Sequence, residues 1–121
     1  MKPVIILITL IGSFLAPQPI SERKLQPIIQ TKPAYSNKVQ QEIYIQSLKS
    51  EVDLEDAMRI ANCESSFDQY ARNANSSASG VYQFISKTWD NYCTGDVFNA
   101  KDNVQCFFKL YPEHKSWWEC K

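Results

Sequence analysis

The sequence predicts a small, mostly α-helical domain that is stabilised by two disulfide bonds. Four segments after residue 38 carry apolar or capping residues at helical spacing. The predicted domain, residues 41–121, is close to the length at which a hydrophobic core alone ceases to stabilise a fold. All four cysteines of the chain lie inside it, as expected for a domain that needs covalent support.

The chain of 121 residues begins with a segment typical of a secretory signal. Lys2 precedes an apolar run from Val4 to Ala16, which is too short to span a bilayer. Ala16 suits the position before a cleavage site but Pro17 does not suit the next one, so the cleavage site stays open and an uncleaved membrane anchor is the alternative. Residues 17–40 hold four of the six prolines and predict a linker. The protein is therefore predicted to be exported, to the periplasm or the cell wall.

Charge is distributed unevenly along the chain. Residues 17–40 carry a net charge of +3, whereas residues 41–121 hold 8 basic and 12 acidic residues. The basic segment could rest on an anionic membrane or wall polymer, but its scattered charges favour a solvated spacer. The acidic domain has no basic patch, which excludes nucleic acid as a partner. No cofactor is expected, and the protein is expected to be a monomer.

The first two helices are predicted on either side of a short polar break. Residues 39–49 place their apolar side chains on one side of a helix. Asp53 can cap a second helix by accepting a hydrogen bond from its first turn. Glu64 then falls at the C-terminal end of this second helix, in line with Ala57 and Ile60.

Two further helices are predicted after a segment without apolar periodicity, residues 71–80, which predicts turns or a short irregular hairpin. Ser86 is expected to cap the third helix, which runs to Cys93. Asn99, with an acid three residues later, resembles the cap of a fourth helix, and Pro112 ends that helix.

The cysteines predict two disulfides, and their spacing leaves a zinc site as the lesser alternative, because no CxxC pair occurs and the chain has one histidine. Four cysteines allow three pairings. The third and fourth helices are short and are separated by "TGDVFNAK", so we expect a helical hairpin that brings Cys93 to the height of Cys106. The remaining bond, Cys63–Cys120, would tie the C-terminal segment to the residue beside Glu64.

Glu64 is the candidate for acid chemistry. A glycosidase acid must carry a proton when it meets the glycosidic oxygen, so it needs a raised pKa, which apolar surroundings without a nearby cation provide. Aromatic residues that could form such walls are Phe67, Tyr82, Phe84, Trp89, Trp117 and Trp118. Taken alone, however, a single glutamate is usually a solvated surface acid.

The stretch "ESSFDQYARNANSSASGVYQFISKTW", from Glu64 to Trp89, resembles the lysozyme-like lytic transglycosylases. The shared features are an E-S dipeptide, a nearby aromatic residue, the pattern G-x-x-Q and a later Ser or Thr with an aromatic. Goose-type lysozymes and resuscitation-promoting factors share this frame. The resemblance implies a lysozyme-like α+β fold and cleavage of the β-1,4 bond between N-acetylmuramic acid and N-acetylglucosamine in peptidoglycan glycan strands.

The resemblance also implies a mechanism with one catalytic acid. Glu64 would protonate the bridging oxygen, the substrate's N-acetyl group would stabilise the anomeric cation, and Glu64 would then act as base toward the sugar's 6-hydroxyl. The second acid of chicken-type lysozymes has no counterpart, because Ser77, Ala78 and Ser79 occupy its region, and Asp68 is expected to be solvated or capping. The alternatives are a hydrolytic muramidase and a non-catalytic glycan-binding module.

Three polar or glycine positions take substrate-binding roles by the same resemblance. Ser65 would orient the Glu64 region, or alternatively cap the helix end. Gly80 would allow close approach of the backbone to the sugar, which is compatible with a turn that needs positive φ. Gln83 would hydrogen-bond the N-acetyl sugar, and a surface amide is the alternative.

Other expected substrate contacts lie on later segments. Asn103 matches an asparagine of the family, although helix capping explains it equally well. Tyr82 is a candidate for the cleft, although its apolar ring favours the core over the cleft, as does that of Phe84. Trp117 is expected to stack on a sugar face, and one of Trp117 and Trp118 should be core. The family's cleft tyrosine has no clear match, because Tyr111 is followed by proline.

Overall fold

A computed structural model describes residues 34–120 of the chain. The predicted signal segment and most of the predicted linker lie outside the described residues. Residues 34–120 contain four α-helices and no strand, so the mostly helical prediction is confirmed. The helices are α1 (Lys38–Ser47), α2 (Leu54–Ser65), α3 (Ser86–Tyr92) and α4 (Ala100–Leu110). Two 3₁₀ turns, Tyr111–Glu113 and Lys115–Trp117, follow α4.

Helix α1 begins where the Asn37 side chain accepts hydrogen bonds from the backbone N–H groups of Val39 and Gln40. This start lies inside residues 17–40, so helical structure begins earlier than the predicted domain boundary. Val39 and Ile43 are buried, and the helix packs against α2 and α4.

Helix α2 begins as predicted, because the Asp53 carboxylate accepts a hydrogen bond from Asp56 N at 3.1 Å. Its buried face consists of Ala57, Ile60 and Ala61. The helix ends at Ser65, and the next two residues have φ values of 55° and 62°, in the left-handed region. The chain therefore leaves the helix after Ser65, one residue beyond Glu64.

The segment between α2 and α3 is an irregular hairpin without strands. Isolated antiparallel bridges join Arg72 with Ser79 and Ser79 with Phe84. Gly80 N donates to Ala71 O at 2.8 Å, which closes the hairpin at its base. The prediction of turns or a short irregular hairpin for residues 71–80 is confirmed.

The two later helices agree with the prediction except at one cap. Asn99 caps α4 by accepting a hydrogen bond from Asp102 N. Ser86 does not cap α3, because it is already the first helical residue. Its backbone N–H, which has no partner inside the helix, donates instead to the Ser77 hydroxyl at 2.9 Å.

The core brings together buried residues of all four helices, the hairpin and the C-terminal segment. The Tyr82 ring stacks on Phe107 with centroids 3.7 Å apart, and its hydroxyl donates to Ala57 O at 2.8 Å. Trp118 packs edge-on against Phe84 and Phe107. Tyr82 from the hairpin and Trp118 from the C-terminal segment thus both pack against Phe107 of α4 in the core.

Both disulfides form with the predicted pairing, Cys93–Cys106 and Cys63–Cys120. The first joins the end of α3 to α4, and the second joins α2 to the C-terminal segment. Two disulfides are consistent with an extracytoplasmic protein. Within residues 34–120, no helix combines the length and apolar character needed to cross a bilayer.

Candidate functional site

Glu64 occupies the last turn of α2 and is half-buried. Burial raises the pKa of the Glu64 carboxyl above its ordinary value. In the part of the chain that the structure describes, this carboxylate makes no hydrogen bond or ion pair. Desolvation therefore favours the protonated acid, and no described cation offsets it.

Ser65 closes the helix directly after this acid. Its hydroxyl donates to Ala61 O and accepts from Asp68 N, both at 3.2 Å. The Ser65 side chain thus stabilises the turn that follows the helix. This is the helix-capping role, which the sequence predicted as the alternative to orienting Glu64.

Two acids after Glu64, Asp68 and Asp102, stabilise turns. The Asp68 carboxylate is exposed and accepts from Tyr70 N at 2.8 Å, as expected for a solvated or capping residue. The Asp102 carboxylate accepts from Asp96 N at 3.0 Å. These carboxylates hold loops, and Glu64 differs from them in having no backbone donor.

Gly80 begins the turn that carries Gln83. Its φ is +82°, and a Cβ at this position would overlap the Asn103 side-chain amide and the Val97 carbonyl. A side chain here would therefore be excluded by conformation and by space together.

Two residues expected to contact substrate are instead fully buried. Asn103 has no exposed surface, because its Oδ1 accepts from Tyr82 N at 3.0 Å and its Nδ2 donates to Val97 O at 2.8 Å. Tyr82 also has no exposed surface and belongs to the core. The prediction of direct substrate contact is wrong for Asn103 and for Tyr82, because both side chains are enclosed in the core.

Gln83 is half-buried and has a φ of +54°. Its Nε2 donates to Gly80 O at 3.0 Å and to Ala71 O at 3.3 Å. Since only the NH₂ group can satisfy two carbonyls, the other amide atom must be the oxygen. Within the described chain no donor reaches Oε1, so this oxygen is available to accept a hydrogen bond from a ligand.

A cavity of about 290 Å³ lies beside this glutamine; it is lined by Gln83, Phe84, Ile85, Thr88, Trp117 and Trp118. Trp117 is 44% exposed, whereas Trp118 is buried and its Nε1 donates to Tyr82 O at 2.9 Å. The expectation that one of the two tryptophans is core is confirmed. Sequence reasoning missed Ile85 and Thr88, although Thr88 belongs to the "TW" part of the motif.

The structure does not place Glu64 or Ser65 among the residues that line this cavity. The connection is made by the C-terminal segment, since the Cys63–Cys120 bond attaches it to the residue before Glu64. Arg59, which sequence reasoning also missed, reinforces the attachment by donating from Nη1 to Cys120 O at 3.2 Å.

Comparisons with models of known protein families, with characterised proteins and with solved structures find no match. The resemblance to lytic transglycosylases therefore stays a prediction from the motif residues. The function must be inferred from Glu64, Gln83 and their surroundings.

Proposed function

We propose that this protein is an exported lytic transglycosylase that cleaves the β-1,4 bond between N-acetylmuramic acid and N-acetylglucosamine in peptidoglycan. The observation that carries the proposal is the state of Glu64: half-buried, without a hydrogen-bonding partner in residues 34–120, and with its pKa raised by burial. A general acid requires these conditions, because it must hold a proton at the pH of the reaction and release it in the transition state.

The proposed reaction returns Glu64 to its starting state. Glu64 gives its proton to the bridging oxygen, and the bond from that oxygen to the anomeric carbon breaks. The N-acetyl oxygen of the muramic acid residue stabilises the cation. The 6-hydroxyl then bonds to the anomeric carbon and gives its proton to the Glu64 carboxylate, so that a 1,6-anhydro sugar forms and the acid is restored.

A mechanism with a single acid is supported by what occupies the region of a second carboxylate. Neither Ala78 nor Ser79, which occupy that region, carries a carboxyl group. Ala78 is buried and Ser79 takes part in the hairpin bridges. Asp68 is exposed and caps a turn. Paired-carboxylate mechanisms need two acids within about 10 Å across the bond, and substrate assistance removes that need.

The proposal includes a lysozyme-like fold. In this fold a helix ends at the acid, Glu64, and is followed by an irregular hairpin that carries the glutamine, Gln83. The hairpin bridges support this assignment. The two disulfides support export.

Mass spectrometry of purified peptidoglycan after digestion tests the proposal. We expect new glycan ends that carry 1,6-anhydro-N-acetylmuramic acid. New reducing ends would instead identify a hydrolytic muramidase, and no new ends would identify a binding module. The Glu64→Gln variant is the control for contaminating activity, and Asp68→Asn is the matched control for changing an acid in this segment.

A further inference from the structure

We propose that a second cavity, formed by the hairpin and helix α3, binds a primary ammonium group carried on an alkyl chain, with the Asp90 carboxylate as its counter-ion. The cavity has a volume of about 180 Å³, and its polar lining consists of Ser77, Ser79, Ser86 and Asp90. Neither Glu64 nor Gln83 is part of this lining, so the site goes beyond the residues of the proposed reaction.

Asp90 gives the cavity its negative charge. It is exposed on α3, and in the part of the chain that the structure describes its carboxylate makes no hydrogen bond or ion pair. The carboxylates of Asp96 and Asp102, by contrast, accept hydrogen bonds from Phe98 N at 2.9 Å and from Asp96 N at 3.0 Å. A carboxylate without a partner, placed in a cavity, favours a ligand of positive charge.

The positive side chains near the cavity do not neutralise this carboxylate. Lys87 lies on the same helix, and Arg72 pairs with Ser79 in a hairpin bridge, but neither forms an ion pair with Asp90 within residues 34–120. The Arg72 guanidinium lies 4.6 Å from the centroid of the Phe98 ring, where it makes a cation–π contact. The charge of Asp90 therefore remains available to a ligand.

Three serine hydroxyls in the same lining supply further acceptors. The Ser79 hydroxyl donates to Ser77 O at 3.0 Å, so its own lone pairs can accept. The Ser77 hydroxyl accepts from Ser86 N at 2.9 Å, which occupies an N–H that would otherwise favour an anion at the start of α3. The Ser86 hydroxyl makes no hydrogen bond to any described residue. An ammonium group has only donors, and a carboxylate together with these hydroxyls can accept from all of them.

Apolar side chains form the rest of the lining and suit an alkyl chain. Phe84, Trp89 and Val97 line the cavity, and the rings of Phe84 and Trp89 meet edge to face with centroids 5.2 Å apart. The Trp89 indole is fixed, because its Nε1 donates to Gly95 O at 3.2 Å. Aromatic rings also attract cations. The volume is smaller than that of most drug-sized sites, so a short alkylamine is the expected size of ligand.

Titration of the isotope-labelled full-length chain with pentylamine, followed by NMR, tests the inference. The amine is protonated at neutral pH, and pentanol is the matched probe without charge. We expect saturable shifts of the backbone amides of Ser79, Ser86 and Asp90 with pentylamine, and binding of pentanol about tenfold weaker or less at the same ionic strength. Equal binding of the two probes, or shifts that do not saturate, would overturn the inference.

Asp90→Asn tests the counter-ion, because it keeps the shape of the side chain and removes its charge. We expect it to weaken pentylamine binding about tenfold. Glu55→Gln is the matched control: it removes the same charge from an exposed acid of α2 outside the cavity lining, and it should leave the affinity unchanged. Thermal melts verify that both variants are folded. Pentylamine affinity that is unchanged in folded Asp90→Asn, or lowered equally by Glu55→Gln, would contradict the assignment.

Sedimentation with insoluble peptidoglycan identifies the source of the amine. The protein carries Glu64→Gln to prevent turnover, and the wall is used before and after acetylation of the free amines on its peptides. Loss of binding on acetylation that depends on Asp90 would assign the ammonium group to the wall peptides. Unchanged sedimentation together with Asp90-dependent pentylamine binding would assign it to a small free amine. Failure of the wild-type protein to release glycan ends would overturn the enzyme assignment and leave the pentylamine result standing.

Discussion

The end of helix α2 and the hairpin turn at residues 80–84 are built in opposite ways. At the helix end, the Glu64 carboxylate is half-buried and has no described hydrogen-bonding partner. At the turn, backbone groups are paired with residues far away in sequence: Tyr82 N donates to Asn103, and Tyr82 O accepts from Trp118. One region leaves its titratable group free, and the other has its conformation determined by hydrogen bonds.

This difference matches what each region must do in the proposed reaction. An acid–base group must exchange a proton, so a strong partner would hold one protonation state and slow the transfer. A binding turn must keep one geometry, since misplaced contacts lose much of their effect. The comparison predicts that changes at Glu64 act mainly on turnover, with only a pH-dependent effect on stability, whereas changes at the turn reduce turnover and stability together.

The largest effect is expected from Glu64→Gln. This variant keeps the shape of the side chain but removes the transferable proton, so we expect turnover of peptidoglycan to fall about a thousandfold or more while the protein stays folded. Release of soluble glycan fragments measures it, and Asp68→Asn should remain near wild type. Retention of turnover within about tenfold of wild type would show that Glu64 is not the acid.

Removing the Cys63–Cys120 bond should test the comparison, because this bond attaches the end of α2 to the C-terminal segment, whose Trp118 donates to Tyr82 O in the turn. Its sequence separation is 57, against 13 for Cys93–Cys106. In the chain-entropy model, paired Cys→Ser changes should cost about 4 kcal/mol for the longer loop and about 3 kcal/mol for the shorter one. Urea unfolding measures both.

The disulfides should differ more in activity than in stability. Loss of Cys63–Cys120 releases the segment that carries Trp117, so activity per folded molecule should fall. Loss of Cys93–Cys106 should leave it largely unchanged. Equal activity losses for the two pairs would contradict a special role for the C-terminal attachment.

Gly80→Ala tests the rigidity of the turn. We expect a loss of about 2–3 kcal/mol in unfolding free energy, because the new Cβ meets the Val97 backbone carbonyl at a positive φ. Gly95→Ala is the matched control: Gly95 also has a positive φ, but its Cβ would meet the Asp102 side chain. A carboxylate side chain can move more easily than backbone, so Gly95→Ala should cost less. The reverse order would contradict this account.

Gln83→Ala should have a smaller effect, and one that falls on both properties. The variant removes the donor from Ala71 O and Gly80 O, so we expect a loss of about 1 kcal/mol in stability together with weaker glycan cleavage. Gln105→Ala, at an exposed glutamine of α4, is the control. Lower melting temperature with unchanged specific activity would make Gln83 purely structural.

The smallest effect is the pH dependence of stability. Burial raises the pKa of Glu64 above its ordinary value of 4.5, so the native state holds this proton more tightly than the unfolded state. The stabilising contribution of the protonated form is complete below pH 4.5 and is lost as pH rises through the raised pKa. Glu64→Gln should therefore gain stability relative to wild type across that interval, as measured by urea unfolding at several pH values. A constant difference would contradict the burial of this carboxyl.

Local signals in the sequence were sufficient to predict much of the helical framework and both disulfides. Asp53 and Asn99 cap helices as predicted, because an N-cap depends on residues within three positions of it. The position of Glu64 at the end of α2 follows from the same helical spacing. The disulfide pairing followed from two short helices that fold back on each other, which is also a local property.

The tertiary structure decided where the remaining side chains point. Tyr82 and Asn103 form a hydrogen bond across 21 positions, and Trp118 reaches Tyr82 across 36 positions. Motif spacing could name these residues but could not distinguish a cleft from a core, because burial depends on which distant surfaces meet. The same reason explains Ser86, whose N–H is satisfied by Ser77 across the hairpin. The sequence by itself determined the helices, the Asp53 and Asn99 caps and the acid at a helix end. Long-range packing determined which side chains line the cavity and which are enclosed in the core.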